Sequence, residues 1–236
     1  SLFLKNHFLI IHDNFNAIKS NYSVYYKLIF KSRLKLIVFT NADRNKFELD
    51  SWNVSSYNFC IPLKNASTNY KPNLNEQVTL LYYGRVSNSQ KCCDELLSFA
   101  KNSGLDFMFI GPFGDVESIN SYSKFYKGTV NNLEELLLKI KTKRVIGISF
   151  SDHEGMPISM FELINIGIPF VSTSCADSIS YYFNISKIGE IIDKTNYENV
   201  KSKIKLIDDN YKFYSSNCKK LNINNTWKDS WRKLLS

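Results

Sequence analysis

The sequence predicts an α/β protein whose larger part is a doubly wound parallel sheet. From about Asn75 onward, short runs rich in β-branched and aromatic residues alternate with amphipathic helical patterns. This alternation is typical of a parallel sheet covered by helices on both faces. Gly84, Gly111 and Gly167 stand at the ends of these runs, where the backbone commonly turns tightly or becomes left-handed. A chain of 236 residues with 44% hydrophobic content can bury one large domain, or one domain and part of another.

The alternating part contains five predicted strands and four predicted helices. The strands are expected at 78–83, 106–110, 144–150, 170–173 and 190–192. The helices are expected at 91–101, 133–141, 158–166 and 179–183. A last amphipathic pattern at 225–235 predicts a closing helix. We therefore assign residues 75–236 to one sheet domain.

Residues 1–62 contain too few elements for a layered domain of their own. They have predicted strands at 8–12, 36–40 and 57–61 and a predicted helix near 23–32. We expect this segment to be the carboxy-terminal part of an incomplete second α/β domain. Residues 63–74 are polar and aperiodic, which predicts an interdomain linker. Because the first residue is Ser1, we expect the chain to start inside a longer product.

The composition indicates where the protein works. No run approaches the roughly 20 apolar residues that span a bilayer, and no signal-peptide pattern is present. The five cysteines are an odd set without a CxxC pair, which favours a reducing compartment. We therefore expect the protein in the cytoplasm.

The net charge of +8 is compatible with nucleic acid, an anionic membrane or a phosphate-bearing ligand. Residues 25–35 mix aromatic, aliphatic and basic side chains at roughly helical spacing. They predict either an amphipathic helix that docks on the inner face of an anionic membrane, or the solvated basic face of an ordinary helix. No aromatic stacking motif accompanies the charge, so we do not expect nucleic acid as a partner.

The most informative stretch runs from Ser149 to Glu162. A strand leads into a polar loop that carries Glu154, and a helix predicted to open at Pro157 carries Glu162 eight positions later. The free amides at the helix start suit an anion; they belong to Gly155, Met156 and Ile158. Glu154 could instead cap the helix, and Glu162 could be an exposed acid near its start. The apolar neighbours of Glu162 favour a ligand.

A second polar loop follows the first strand of the sheet domain. It contains Gly84 and Arg85, and Lys91 is expected in the first turn of the next helix. A cation there opposes the helix dipole by up to about 1 kcal/mol unless an anion lies between them. Arg85 could bind a diphosphate through two parallel hydrogen bonds, and Lys91 could add a single positive charge. The alternative is a pair of solvated surface cations.

The order of these motifs and their spacing along the sequence resemble those of glycosyltransferase family 4, whose members are retaining enzymes of the GT-B fold. The resemblance covers about residues 75–236, which correspond to the carboxy-terminal donor-binding domain. It rests mainly on Tyr83-Gly-Arg85 with Lys91, and on Ser151-Asp-His-Glu154-Gly-Met-Pro with Glu162. The other matching segments are 109–114, 126–130, 167–173 and 226–227.

The resemblance implies a role for each site residue. Arg85 and Lys91 would hold the diphosphate of a nucleotide sugar and stabilise it as it leaves, and Glu154 would engage hydroxyls of the sugar. These three are the candidate catalytic residues. Glu162 would bind the ribose hydroxyls. The other donor-binding candidates are Gly84, Gly111, Val130, Gly155, Met156, Pro157 and Ile158. No metal or other cofactor is expected, because the sequence has no Asp-x-Asp triplet and no His/Cys cluster with metal-ligand spacing.

The resemblance therefore implies a retaining transferase that moves a sugar from a nucleotide-sugar donor to a glycan or lipid-linked acceptor. The expected setting is surface polysaccharide biosynthesis, such as O-antigen or capsule. The glycine-rich loop of the family's amino-terminal domain is missing. A catalytically incomplete nucleotide-sugar binding module thus stays open as an alternative. A GT-B sugar-nucleotide epimerase also stays open, although it should show a Ser-Gly-Gly-x-x-Glu loop in place of Glu154-Gly-Met-Pro157.

Overall fold

The computed structural model describes residues 70–221 except residue 142, together with the backbone of segments 8–10 and 35–37. The two amino-terminal segments are strands β1 (Phe8–Ile10) and β2 (Lys35–Ile37), which pair in parallel. Both lie within predicted strands or overlap them. The helix predicted near 23–32, the strand at 57–61 and the closing helix at 225–235 lie outside the described residues. The domain boundaries stay a prediction.

The second sheet has five parallel strands in the order β4-β3-β5-β6-β7. They are β3 (Val78–Tyr83), β4 (Asp106–Ile110), β5 (Arg144–Ser149), β6 (Phe170–Ser172) and β7 (Gly189–Ile191). Each corresponds to a predicted strand to within one residue at either end. The prediction of a parallel sheet is confirmed.

Six helices are described in this part of the chain. They are α1 (Cys93–Ser103), α2 (Leu133–Ile140), α3 (Ile158–Asn165), α4 (Asp177–Ser186), α5 (Tyr197–Asp209) and α6 (Tyr211–Lys220), and a short 3₁₀ helix covers Ile119–Tyr122. None of the helices within 70–221 is long and apolar enough to cross a membrane.

The helices cover both faces of the sheet, so the doubly wound arrangement is confirmed. On one face α1 and α5 bury apolar side chains against residues such as Leu80 and Ile146. On the other face α2, α3 and α4 pack against residues such as Leu81 and Val145. Because successive strand residues point to opposite faces, neighbouring strand positions are buried in two separate cores. This explains why the strands have continuous apolar runs.

Strand order opens a crevice at the carboxyl ends of β3 and β5. From β3 the chain moves to β4 on one side, and it then crosses back to β5 on the other side. The connections that leave β3 and β5 therefore run in opposite directions. In open parallel sheets, ligands bind at such a switch point. The two polar loops singled out in the sequence both start here.

Three helix starts differ from prediction, and one of them is that of α4, which begins at Asp177 and not at residue 179. Helix α1 begins at Cys93 and not at residue 91, so Lys91 lies in the preceding loop. The expected conflict between Lys91 and the helix dipole is therefore absent. Helix α3 begins at Ile158, and Pro157 is its N-cap with an extended backbone (φ −74°, ψ 90°). Pro157 thus precedes the first helical residue instead of occupying it.

Helices α5 and α6 have no counterpart in the prediction. Helix α5 buries only one stripe, Val200, Ile204 and Ile207, and its other positions are mostly polar or charged. Helix α6 buries Tyr211 and Tyr214, and it too is rich in polar residues. Such narrow apolar stripes give a weak periodic signal in sequence, although they suffice to dock a helix.

Candidate active site

The loop that follows β3, residues 84–92, is called here the first loop. Its start is held by backbone hydrogen bonds: the Gly84 amide donates to the Ile110 carbonyl (3.0 Å) and the Val86 amide to the Pro112 carbonyl (2.8 Å). The Tyr82 hydroxyl donates to the Arg85 carbonyl at 2.7 Å. The backbone of Arg85 is thus fixed while its side chain is exposed.

Gly84 and Gly111 approach each other closely at the ends of neighbouring strands. A Cβ atom on Gly111 would lie 1.9 Å from the Gly84 carbonyl oxygen, and Gly111 has φ +143°. No side chain fits there. The structure thus gives Gly111 a role in packing two strand ends together, in addition to the predicted approach to a nucleotide.

The loop that follows β5, residues 150–157, is called here the second loop. Its backbone is held from two sides, because the Asp152 amide donates to the Gln90 carbonyl (3.0 Å) and the Glu154 amide to the Cys175 carbonyl (2.8 Å). The Thr173 hydroxyl also donates to the Ser151 carbonyl. The loop is therefore ordered by protein contacts before any ligand arrives.

The two loops meet at an ion pair between Lys91 and Glu154. The ammonium group of Lys91 donates to Glu154 Oε1, and the Gln90 amide donates to Glu154 Oε2 at 3.4 Å and to the His153 carbonyl at 2.9 Å. The side chain of Glu154 is only 9% exposed and that of Lys91 is 20% exposed. A buried carboxylate requires such a partner. In the described part of the chain, no side chain pairs with the guanidinium of Arg85.

Glu162 lies one helical segment away from this pair, on α3. Its carboxylate accepts a hydrogen bond from the Tyr83 hydroxyl at the end of β3. Burial of Tyr83, followed by the charge of Glu162, raises the pKa of Tyr83 to about 12. Tyr83 is therefore a neutral hydrogen-bond donor at physiological pH.

A cleft of about 480 Å³ lies between the two loops. Seven of the predicted site residues line it: Gly84, Arg85, Lys91, Glu154, Met156, Pro157 and Ile158. Four do not, namely Gly111, Val130, Gly155 and Glu162. Of these, Val130 packs against the core, and Gly155 accepts a hydrogen bond from the Ser178 hydroxyl through its carbonyl (3.3 Å). Glu162 is linked to the cleft through Tyr83, which lines it.

Polar residues that the sequence analysis did not propose for the site also lie at or next to the cleft. Ser149, Ser151 and Ser159 line it, and Gln90 holds Glu154 from the first loop. Gln90 could have been proposed from sequence because it directly precedes Lys91. The serines could not, since small polar residues are common at strand ends and helix starts.

A larger cavity of about 590 Å³ lies at the other end of the sheet, at the amino ends of β3 and β4. It contains none of the predicted site residues. Ligands of parallel sheets bind at the carboxyl ends of the strands, so the 480 Å³ cleft is the candidate site. Among residues 70–221, no cluster of three or more His, Cys, Asp or Glu side chains could hold a metal ion.

Comparisons with known proteins give a consistent result for the fold. No protein-family model matches the sequence, and a search of curated proteins finds no match. Among solved structures, TarM matches with a TM-score of 0.73 and 20% identity over 98% of this chain and 50% of that one. The pneumococcal O-GlcNAc transferase GtfA, in complex with UDP and GlcNAc, matches with a TM-score of 0.67 and 16% identity over 98% of this chain and 53% of that one.

A third match is the lipopolysaccharide outer core galactosyltransferase WaaB, with a TM-score of 0.64 and 14% identity over 84% of this chain and 62% of that one. The chain thus spans about half to two thirds of the length of these proteins. At such low identities the similarity establishes the fold alone. The sheet domain has the Rossmann-like α/β fold of GT-B glycosyltransferases, as the motif resemblance predicted.

Proposed function

We propose that this chain is the donor-binding part of a retaining glycosyltransferase that uses a nucleotide sugar. One observation carries the proposal: Arg85, Lys91 and Glu154 face a single cleft at the switch point of the sheet. A diphosphate needs cations, and a sugar needs hydrogen-bond acceptors for its hydroxyls. Both kinds of group are within one cleft here, and the GT-B fold of the neighbours supports this interpretation.

The roles follow from the chemistry of the groups. The exposed guanidinium of Arg85 offers two parallel donors to the diphosphate, while Lys91 adds a point charge. Both would stabilise the charge that develops on the diphosphate as the bond between it and the anomeric carbon breaks. The new bond forms between that carbon and the acceptor hydroxyl on the same face, and the acceptor proton passes to the leaving phosphate. This sequence of bonds retains the anomeric configuration without requiring a metal.

We infer the donor and acceptor classes from the structurally similar proteins. The GtfA structure contains UDP and GlcNAc, so a uridine nucleotide sugar is the first donor to test. WaaB is a lipopolysaccharide outer core galactosyltransferase, which supports a glycan or lipid-linked acceptor in surface polysaccharide synthesis. We place the activity in the cytoplasm, at the inner face of the membrane.

The test of this function compares a nucleoside diphosphate with its nucleoside. We expect Arg85→Ala to weaken UDP binding roughly tenfold or more in isothermal titration calorimetry, because it removes charge-assisted hydrogen bonds to the phosphates. Uridine binding should change little. Lys91→Ala should act in the same direction, and Lys220→Ala, at an exposed cation on α6, serves as the control. If either cleft variant weakens UDP and uridine equally, the diphosphate clamp is wrong.

A second candidate is a binding module that holds the nucleotide sugar without transferring it. It is favoured by one observation, since the Lys91 ammonium that would stabilise the leaving diphosphate is already paired with the Glu154 carboxylate. Both candidates predict UDP binding, but only the transferase consumes UDP-sugar when an acceptor is added. Release of UDP by the full gene product, measured against a no-acceptor control, separates the two.

A further inference from the structure

Lys194, in the connection between β7 and α5, is the centre of a polar cluster behind the cleft. Its ammonium group lies 2.7 Å from Asp152 Oδ1, 3.0 Å from Glu95 Oε2 and 3.1 Å from Cys92 Sγ. An ammonium has three donors, so all three are used. The Lys194 side chain is only 16% exposed. The side chains of Asp152 and Glu95 are each 56% exposed, so the buried part of the cluster consists of Lys194 and Cys92.

The partners of Lys194 lie next to the candidate site residues. Asp152 is two positions before Glu154 in the second loop, and Cys92 directly follows Lys91 in the first loop. The Cys92 thiol donates to Asp152 Oδ2 at 3.1 Å, so the cluster closes into a ring of contacts across the two loops. Glu95, on the first turn of α1, fixes Lys194 to a third element.

The backbone of Cys92 is itself unusual. It has φ 50° and ψ 42°, a left-handed conformation that costs a non-glycine residue roughly 1 kcal/mol or more. Such a conformation persists only where surrounding contacts impose it. At Cys92 the backbone is held within the first loop, because the Cys92 amide donates to the Asn88 carbonyl and the Cys93 amide to the Ser87 carbonyl, both at 3.1 Å. Its side chain is held by Lys194 and Asp152. This turn directly follows Lys91, which pairs with Glu154.

We infer that Lys194 is a positioning residue that sets the relative placement of Lys91 and Glu154 by tying the first loop to the second. The inference rests on the proposed function, since Lys91 and Glu154 are the residues proposed to contact the diphosphate and the sugar. The charges support it: the hydrogen bond from Lys194 lowers the pKa of Asp152, and Asp152, Cys92 and Glu95 together hold the pKa of Lys194 above its usual value despite its burial. Both partners are charged at neutral pH.

The competing explanation is an ion pair that only stabilises the fold. A matched control exists in Lys203 on α5, whose side chain is 33% exposed and pairs with Glu190 of β7 at 2.9 Å. Lys203 contacts neither loop. Replacing either lysine by methionine keeps most of the side-chain volume; it removes two ion pairs at Lys194 and one at Lys203.

The experiment measures UDP and uridine binding by calorimetry on the full chain, well below the unfolding temperature. Lys194→Met is expected to weaken UDP about tenfold and uridine less than twofold, whereas Lys203→Met leaves both within twofold. Lys194→Arg should recover most of the UDP affinity, because a guanidinium can reach two carboxylates. Asp152→Asn should cause a similar loss, and the double variant should lose little more than either single one, since both break the same contact.

Four results would overturn the inference. One is equal UDP affinity of Lys194→Met and the unsubstituted protein, and another is an equal loss in Lys203→Met. The third is that Lys194→Arg fails to restore UDP affinity and Asp152→Asn fails to reduce it. If Lys194→Met does not fold, Asp152→Asn replaces it as the test variant. If the unsubstituted chain binds none of UDP, ADP and GDP, the proposed function fails together with the inference. If it binds one and only the Lys194 series is silent, the inference alone fails.

Discussion

Among single residues, Glu162 shows how the structure modifies a role predicted from sequence. Its carboxylate already accepts the Tyr83 hydroxyl, and it does not line the cleft directly. A carboxylate offers about four lone-pair sites, so one internal donor leaves capacity for ribose hydroxyls. Tyr83 lines the cleft and thus connects the carboxylate to the ligand space. The ribose role of Glu162 stays a prediction.

This role can be tested with ligands that differ by one hydroxyl. We expect Glu162→Ala to weaken UDP by about fivefold more than 2′-deoxy-UDP, because a hydrogen bond to a charged acceptor contributes roughly 1 kcal/mol or more. Calorimetric titration of both ligands measures the difference. Tyr83→Phe is the control, since it removes the internal donor and keeps the carboxylate. An equal loss for both ligands in Glu162→Ala would show that the carboxylate does not contact the 2′-hydroxyl.

At the scale of elements, the site depends on how strand ends pack. Gly84 ends β3 and Gly111 ends β4, and the two backbones touch where a side chain would clash. The first loop begins at this point, so the spacing of the two neighbouring strands sets the backbone position of Arg85. Gly104, which ends α1, has a left-handed backbone (φ +73°) but open space around its Cβ position.

The two glycines form a matched pair for mutation. Gly111→Ala is expected to destabilise the protein by roughly 3 kcal/mol or more, because the added methyl group overlaps a backbone carbonyl and the backbone is strained for alanine. Gly104→Ala has only the conformational cost of about 1 kcal/mol. Urea unfolding followed by circular dichroism gives both free energies of unfolding. Similar values for the two variants would mean that the close approach at Gly111 relaxes easily.

Sequence patterns located these elements unequally. The strands were placed well because their apolar runs are continuous and bounded by glycine or polar residues. Helices α5 and α6 were missed because their buried stripes are narrow. Helix α1 starts two residues later than predicted, because residue 92 has a left-handed backbone, and one partner of its side chain, Lys194, is 102 positions away. No local pattern around residue 92 contains that partner.

For the whole molecule, the principal feature is a sheet buried on both faces. Leu80 and Leu81 are consecutive in β3 and both are fully buried, one in each core. In a sheet with one solvated face, only one of them would be buried. Stability therefore depends on both helical layers being docked.

Three leucines test this arrangement. Leu80→Ala and Leu81→Ala should each lower the free energy of unfolding by about 2–5 kcal/mol, because each leaves a cavity in a packed core. Leu138→Ala, at a side chain that is 74% exposed on α2, should change it by less than about 0.5 kcal/mol. Urea denaturation of all three variants provides the comparison. A small loss at either buried position would indicate that the corresponding helical layer is not packed against β3.

The class of fold and the location of the polar loops follow from local sequence patterns. Alternating patterns specify strands and helices locally, and parallel strands connected by helices bring their carboxyl ends to one edge. For this reason Arg85, Lys91 and Glu154 could be predicted to share a site, and the structure brings all three to one cleft.

The pairing of these groups is visible only in the folded protein. Lys91 and Glu154 are 63 positions apart, and sequence spacing does not show that they neutralise each other while Arg85 stays without a partner in the described chain. Sequence spacing likewise does not show that the Tyr83 hydroxyl donates to the Glu162 carboxylate, or that Lys194 contacts both loops. Pairing depends on strand order and side-chain packing between distant segments, and these are set by the burial of both faces of the sheet.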